Sequence, residues 1–295
     1  MATRIVLGSI MLLFFATLVA TDAVIGPPFP LIHLVFFGAT IYGALEIRSL
    51  LPPEERSHPV MIVWCLGLVL FAPLACYYAG GDGASGAIRF SWVVLCMGVV
   101  AALWCGFVGE IAFYRERDHA LARLAFLQMS ILYLGVPAAV VLQIPKDAAS
   151  HPKIALAMLG LAIIIPKACD IGAYFTGRFV GKIRITPVLS PQKTLEGFVG
   201  GVLLGMALTL AVHFALPDEV FRSSIQALMF GLLVSLAGIF GDLAESLLKR
   251  DLHAKDASRL IPGFGGILDV IDSIIFGASV ALIWFLLLPP PGLAA

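Results

Sequence analysis

Apolar runs of close to 20 residues recur along the whole chain, and no other feature of the sequence restricts its fold so tightly. That length is about what an α-helix needs to cross ~30 Å of hydrocarbon. Within a bilayer every backbone N–H and C=O must find a partner in the protein, so open sheets are excluded and a helical bundle follows. Composition agrees: 60% of residues are hydrophobic and 13% charged, where a soluble domain carries about 25% charged.

The runs predict an all-α, polytopic bundle of about nine spans, at 5–23, 29–47, 58–79, 90–113, 123–143, 154–175, 196–216, 224–247 and 266–288. The first resembles a signal peptide, with Arg4 ahead of it. Its apolar stretch is longer than the usual ~7–15 residues, and no small-residue cleavage site leads into a soluble domain, so it is expected to stay as a membrane helix. The N-terminus and every second connection after it hold Arg4; Arg48 and Arg56; Arg115, Arg117 and Arg123; Arg178, Lys182, Arg184 and Lys193; Lys249, Arg250, Lys255 and Arg259. The alternate connections hold Arg89, Lys146, Lys153 and Arg222. This asymmetry places the N-terminus and the two most basic loops in the cytoplasm. Five scattered cysteines, none in a C-x-x-C pair, give neither a disulfide framework nor a zinc site. The formal net charge of zero identifies no partner, and nucleic acid is not expected among the partners.

Polar groups inside spans are the informative ones, because an ionised side chain at the bilayer centre costs ~2.5–3.5 kcal/mol on insertion scales. The N-terminal half has few. Asp22 and Glu46 sit near span ends and are expected at the interface, and Glu110 is expected to pair with Arg115 and Arg117. The C-terminal half is richer. The sixth span carries Pro166, Lys167 and Asp170; the eighth carries Asp242, Glu245, Ser246 and Lys249 on one helical face; the ninth carries Asp269 and Asp272 at i, i+3. Carboxylates facing one another across a helix pair repel unless a cation or protons lie between them, and all-oxygen ligands suit hard cations such as Mg²⁺. Asp242, Asp269 and Asp272 are therefore the candidate metal site.

Loops 176–195 and 248–260 interleave Gly, Ser and Thr with Lys and Arg, a mixture that suits phosphate through amides, hydroxyls and cations together. The run from Ser190 to Gly197 enters the seventh span, whose N-terminal dipole favours an anion. A P-loop pattern is absent.

At these positions the chain resembles the CDP-diacylglycerol synthase (phosphatidate cytidylyltransferase) family. Ser246, Lys249, Arg250, Lys255 and Asp256 match the first part of that family's signature, S-x-x-K-R-x-x-x-x-K-D. Pro262, Gly263, Gly265, Gly266, Asp269 and Asp272 match its Pro-Gly-His-Gly-Gly turn and D-R-x-D. Asp170 to Tyr174 with Gly177 and Arg178, and Ser190-Pro191 with Lys193-Thr194 and Glu196-Gly197, resemble its other recurrent blocks. Phe264 stands where the family usually has His, and Val270 where it usually has Arg. Any role of that His in phosphate binding or proton transfer is therefore missing here, and one cation beside the acids is lost. The acids and the lysine blocks remain, so the chain reads as a divergent active branch.

The resemblance implies transfer of the cytidylyl group of CTP to phosphatidate, giving CDP-diacylglycerol and pyrophosphate. It implies Mg²⁺ on Asp242, Asp269 and Asp272, with room for a second cation (K⁺ or Mg²⁺). Lys193, Lys249, Arg250 and Lys255 would neutralise phosphates, and Ser190 and Thr194 would hydrogen-bond them. Asp170, Arg178, Glu196, Glu245, Ser246 and Asp256 complete the candidate surroundings. Residues 1–150 are expected as a hydrophobic bundle and 151–295 as the catalytic region. The expected setting is the inner cell membrane, multi-pass, with the site facing the cytoplasm and a homodimer left open. The rival readings are a cation-coupled transporter and another CTP-using lipid enzyme such as a polyprenol kinase.

Overall fold

The computed structural model describes residues 30–79, 84–115, 119–147, 151–216, 219–258, 260–261 and 265–293, with short helical pieces between 13 and 25. The expected first span therefore lies largely outside the described residues, as do Arg259 and the Pro262–Phe264 turn.

In chain order the elements are α1 (Pro30–Leu50), α2 (Pro59–Ala79), α3 (Ala84–Ala112), α4 (Ala120–Ser130), α5 (Val136–Asp147), α6 (Pro152–Val180), β1 (Arg184–Thr186), β2 (Ser190–Thr194), α7 (Leu195–Ala215), α8 (Ser224–Asp251) and α9 (Leu268–Leu287). Among the described residues seven helical segments are long and apolar enough to cross a membrane, and α2 supplies a shorter apolar helix over Pro59–Ala75. The protein is thus a helical, multi-pass membrane protein. α4 and α5 run on as one rod through a π-helical turn at Ile131–Gly135. Pro137 explains that turn: it has no N–H to give the Tyr133 carbonyl, and its ring would collide there in a regular helix.

The chain divides into two compact units, one of Met1–Asp147 with Asp256–Leu268, the other of Ala148–Lys255 with Asp269–Ala295. In the first, the isolated acids prove to be internal fasteners. Asp22 is fully buried and accepts hydrogen bonds from the amides of Leu31 (3.1 Å) and Ile32 (2.7 Å), capping α1. Glu46 is 5% exposed. Both acids therefore turn inward, toward partners within the protein. Glu110 pairs with Arg123, which donates from Nε and from Nη2, the latter at 2.7 Å. Of its expected partners, Arg117 lies outside the described residues and Arg115 is exposed; Arg123 lies on the next helix and its guanidinium fork fits a carboxylate from the side.

In the second unit α6 packs along α7 and α8, and α7 along α8. A small-residue stripe on α7 at four-residue spacing makes the close contacts, Gly197 and Gly201 against α6 and Gly205 against Ser235 of α8. A Cβ on Gly201 would stand 2.6 Å from the Cys169 carbonyl oxygen and 3.0 Å from the Ala173 Cβ. Between α6 and α7, where a plain loop was expected, a small antiparallel hairpin forms, with Arg184 opposite Thr194 and Thr186 opposite Ser190. Glu196 fastens its base by accepting from the amides of Lys182 (3.0 Å) and Ile183 (3.3 Å).

Replacing Gly201 by Val drives two methyl groups into backbone that cannot yield cheaply. Gly201→Val is expected to destabilise the protein by about 1–3 kcal/mol, read as a lowered thermal-unfolding midpoint in detergent.

Candidate functional site

The second unit gathers its charged side chains at one place. α8 presents Asp242, Glu245 and Lys249 at i, i+3 and i+7, on one face. α9 brings Asp269, Asp272 and Ser273 in its first two turns. α6 adds Lys167 and Asp170, just beyond Pro166. Lys193 arrives on β2.

Glycine allows the helices to come this close. A Cβ on Gly241, next to Asp242, would collide with the Asp272 carbonyl oxygen. On Gly238 a Cβ would meet the Pro166 ring at 3.0 Å. The backbones of α8, α9 and α6 are therefore near contact where the acids sit.

The ion pairs interlock. Lys249 Nζ lies 2.5 Å from Glu245 and 2.5 Å from Asp269. Lys167 Nζ donates to Asp170 at 3.1 Å and to Asp272 at 3.3 Å. Lys193 Nζ lies 2.7 Å from Asp242. The Ser273 hydroxyl donates to Asp170 at 2.8 Å, and its amide to Asp272 at 2.6 Å. These pairs join five carboxylates to three ammonium groups. Counted over these groups alone and fully ionised, the pairs leave an excess of two negative charges, which favours a bound cation or protons.

One place in the cluster is suited to such an ion. Single oxygens of Asp242, Glu245 and Asp272 all lie within 4.8 Å of one another. An octahedral hard cation with oxygens at about 2.1 Å spaces its ligands about 3–4 Å apart, so modest side-chain shifts close the shell. Glu245 is fully buried; the Lys249 ammonium holds its Oε2, and its Oε1 accepts from no described group. A buried carboxylate left with an ion pair alone is short of ligands. These residues fit a metal ion.

Of the expected metal ligands, Asp242 and Asp272 are thus brought together with Glu245, whereas Asp269 engages Lys249 instead. Thr194 is buried, and its hydroxyl accepts from the Gly197 amide at 3.1 Å, capping α7. Ser190 is half-buried in β2, and Ser246 half-buried on α8. Arg250 is exposed and donates to the carbonyls of Leu189 and Ala254, each at 3.3 Å, tying the hairpin tip to the end of α8. Arg178 is exposed, donating to the Tyr174 hydroxyl at 2.7 Å. Lys255 and Asp256 are exposed, and Asp256 falls in the first unit. The sequence reading gave Lys167 no role. A lysine inside a span that must find acids is the signal that points to it. Nothing in the sequence singled out Ser273.

Fold and site together define a membrane-embedded helical protein with a carboxylate–ammonium cluster able to hold a metal. The cytidylyltransferase family matches this chain over residues 2–288. Two phosphatidate cytidylyltransferases of Helicobacter pylori strains are similar to it: one 37% identical over 61% of this chain and 62% of its own length, the other 35% identical over 76% and 90%. A phosphatidate cytidylyltransferase of Bacillus subtilis is 35% identical over 56% of this chain and 58% of its own length. In two of these three the match spans less than two thirds of the relative. The chain belongs to the cytidylyltransferase family, as its signature residues suggested.

Removing the Lys249 ammonium leaves Glu245 and Asp269 facing each other. Lys249→Met is expected to cost about 3–5 kcal/mol of stability, seen as a lower unfolding midpoint that added divalent cation partly restores.

Proposed function

We propose that the protein transfers the cytidylyl group of CTP to phosphatidate, forming CDP-diacylglycerol and pyrophosphate for phospholipid synthesis. The observation that carries this reading is the convergence of Asp242, Glu245 and Asp272 within 4.8 Å beside three lysines, in a chain of this family.

In the reaction a phosphate oxygen of phosphatidate forms a bond to the α-phosphorus of CTP, and the bond from that phosphorus to the β-phosphate bridging oxygen breaks. Phosphatidate is a phosphate monoester already anionic near neutral pH, so no protein nucleophile or strong base is required. The protein's task is to align two anions and offset their charge. Asp242, Glu245 and Asp272 would hold Mg²⁺, which when bound supplies positive charge to the phosphate oxygens.

Lys249 is nearly enclosed between Glu245 and Asp269, which favours a role in orienting the acids. Lys193, whose buried Nζ lies 2.7 Å from Asp242, would share its ammonium with a phosphate that reaches the cluster. Arg250 and Lys255 are exposed and available to the triphosphate. Thr194 supports this work by fixing the start of α7. The distribution of Lys and Arg favours nine spans, a cytoplasmic N-terminus and a site open to the cytoplasm, where CTP is found.

The test uses purified protein in detergent with radiolabelled CTP, phosphatidate and Mg²⁺, and measures label entering the lipid phase. Wild-type protein is expected to make a lipid-soluble CDP product, to stop on chelation and to recover with Mg²⁺. Asp272→Asn and Glu245→Gln are expected to lower turnover by about a hundredfold or more. Undiminished turnover in both variants sinks the proposed metal site.

A further inference from the structure

Glu46 lies on α1, among the helices read from sequence as a plain hydrophobic bundle, yet its carboxylate is spent on one distant segment. Its Oε1 accepts from the Ser258 hydroxyl at 2.6 Å and from the Ile267 amide at 3.0 Å. Its Oε2 accepts from the Leu268 amide at 2.8 Å. Gly266 is pressed against it: a Cβ there would stand 2.5 Å from Oε2 and 2.6 Å from Oε1. The segment is also folded on itself, with Ile261 and Gly265 exchanging amide–carbonyl hydrogen bonds of 2.8 and 3.0 Å and Gly265 at φ 101°. Both ends of the stretch from 258 to 267 therefore converge on a single buried carboxylate.

Leu268 is the first residue of α9. Its amide is one of the four N–H groups that a helix start leaves without an intrahelical acceptor, and a negative charge at that end is favoured by the helix dipole. Asp269 is the next residue and Asp272 lies one turn further on. A helix advances about 1.5 Å and turns about 100° per residue, so a slip in where α9 begins swings both carboxylates away from their partners. Displacements of about 1 Å in such groups can cost about a hundredfold in rate.

We infer that Glu46 is a positioning residue for the metal-holding cluster, acting through the Ser258–Leu268 segment by fixing where α9 starts. The inference rests on the metal-dependent reading above. A carboxylate is required here, because both of its oxygens accept and the position offers it only donors. Glutamine in the same space turns one end into a donor facing an amide.

The test compares wild type with Glu46→Gln and Gly266→Ala in detergent, the second variant pushing a methyl group onto the carboxylate. Three quantities are read: Mn²⁺ affinity by electron paramagnetic resonance, steady-state turnover with the KM for CTP, and the unfolding midpoint. Both variants are expected to weaken Mn²⁺ binding and lower kcat by about tenfold, with the KM for CTP close to wild type and the unfolding midpoint lowered by no more than one unmet buried hydrogen bond accounts for. Wild-type Mn²⁺ affinity and turnover in either folded variant overturn the inference. So does a fall in unfolding midpoint alone, which would make Glu46 a structural tether. Wild-type protein that binds Mn²⁺ but makes no CDP-lipid defeats the proposed reaction and leaves Glu46 to be judged on Mn²⁺ affinity. Wild-type protein that binds no Mn²⁺ removes the metal reading and this inference with it.

Discussion

Five carboxylates held around three lysines in a membrane-embedded bundle set the terms for the rest of the second unit. Each ionised group costs several kcal/mol to bring out of water, and attraction repays this only with close partners. Every lysine in the cluster accordingly lies within 3.3 Å of a carboxylate, and two of the three bridge a pair of acids. Lys167 bridges Asp170 and Asp272; Lys249 bridges Glu245 and Asp269. Bridging lets one ordered ammonium compensate two anions, and it ties α6 to α9 and α8 to α9. The residual negative charge then falls where Asp242, Glu245 and Asp272 approach one another.

Such distances need backbones closer together than bulky side chains permit. The sequence supplies glycine at those crossings: Gly201 against the Cys169 carbonyl, Gly238 against Pro166, and Gly241 against the Asp272 carbonyl. Apolar residues attract one another little across a lipid medium, so close van der Waals packing and polar contacts hold the helices. The same glycines that bring the acids within reach thus provide much of the helix association. Gly177, Gly181 and Gly197 crowd around the Thr194 hydroxyl in the same way, which couples the hairpin that carries Lys193 to the start of α7.

The helices were legible because a bilayer leaves few alternatives: runs of about 20 apolar residues translate directly into rods. Helical spacing placed Asp242 and Glu245 on one face, and signature spacing drew attention to Asp272. What pattern reading could not show was which acid faces which. Asp269 and Asp272 are equivalent by spacing, yet Asp272 joins Asp242 and Glu245 in one triad while Asp269 meets Glu245 across the Lys249 ammonium. The partners of Asp22, Glu46 and Glu110 were not legible because they are set by tertiary structure. In the case of Glu46 those partners are more than 200 residues away. The hairpin went unrecognised since strands of three and five residues containing an exposed proline carry no alternation to detect.

Exposure divides the cluster into two layers with different work to do. Glu245, Lys249 and Asp269 have side chains 1%, 11% and 9% exposed, whereas Asp242, Lys193, Lys167 and Asp170 are 25–33% exposed. The Lys193 Nζ itself is nevertheless buried beside Asp242, Lys167 also holds the buried Asp272, and breaking a buried pair costs about 3–5 kcal/mol. The inner layer is therefore a fixed frame, and the outer lysines can leave a carboxylate only where another anion takes its place. A triphosphate arriving at a site of net negative charge would be repelled unless cations could turn toward it. Lys193 and Lys167 are the groups in the cluster placed to do so. Under the proposed reaction Glu245 would stay put with the inner frame, the outer ammonium groups would turn from protein anions to substrate anions, and charge compensation would follow the phosphates.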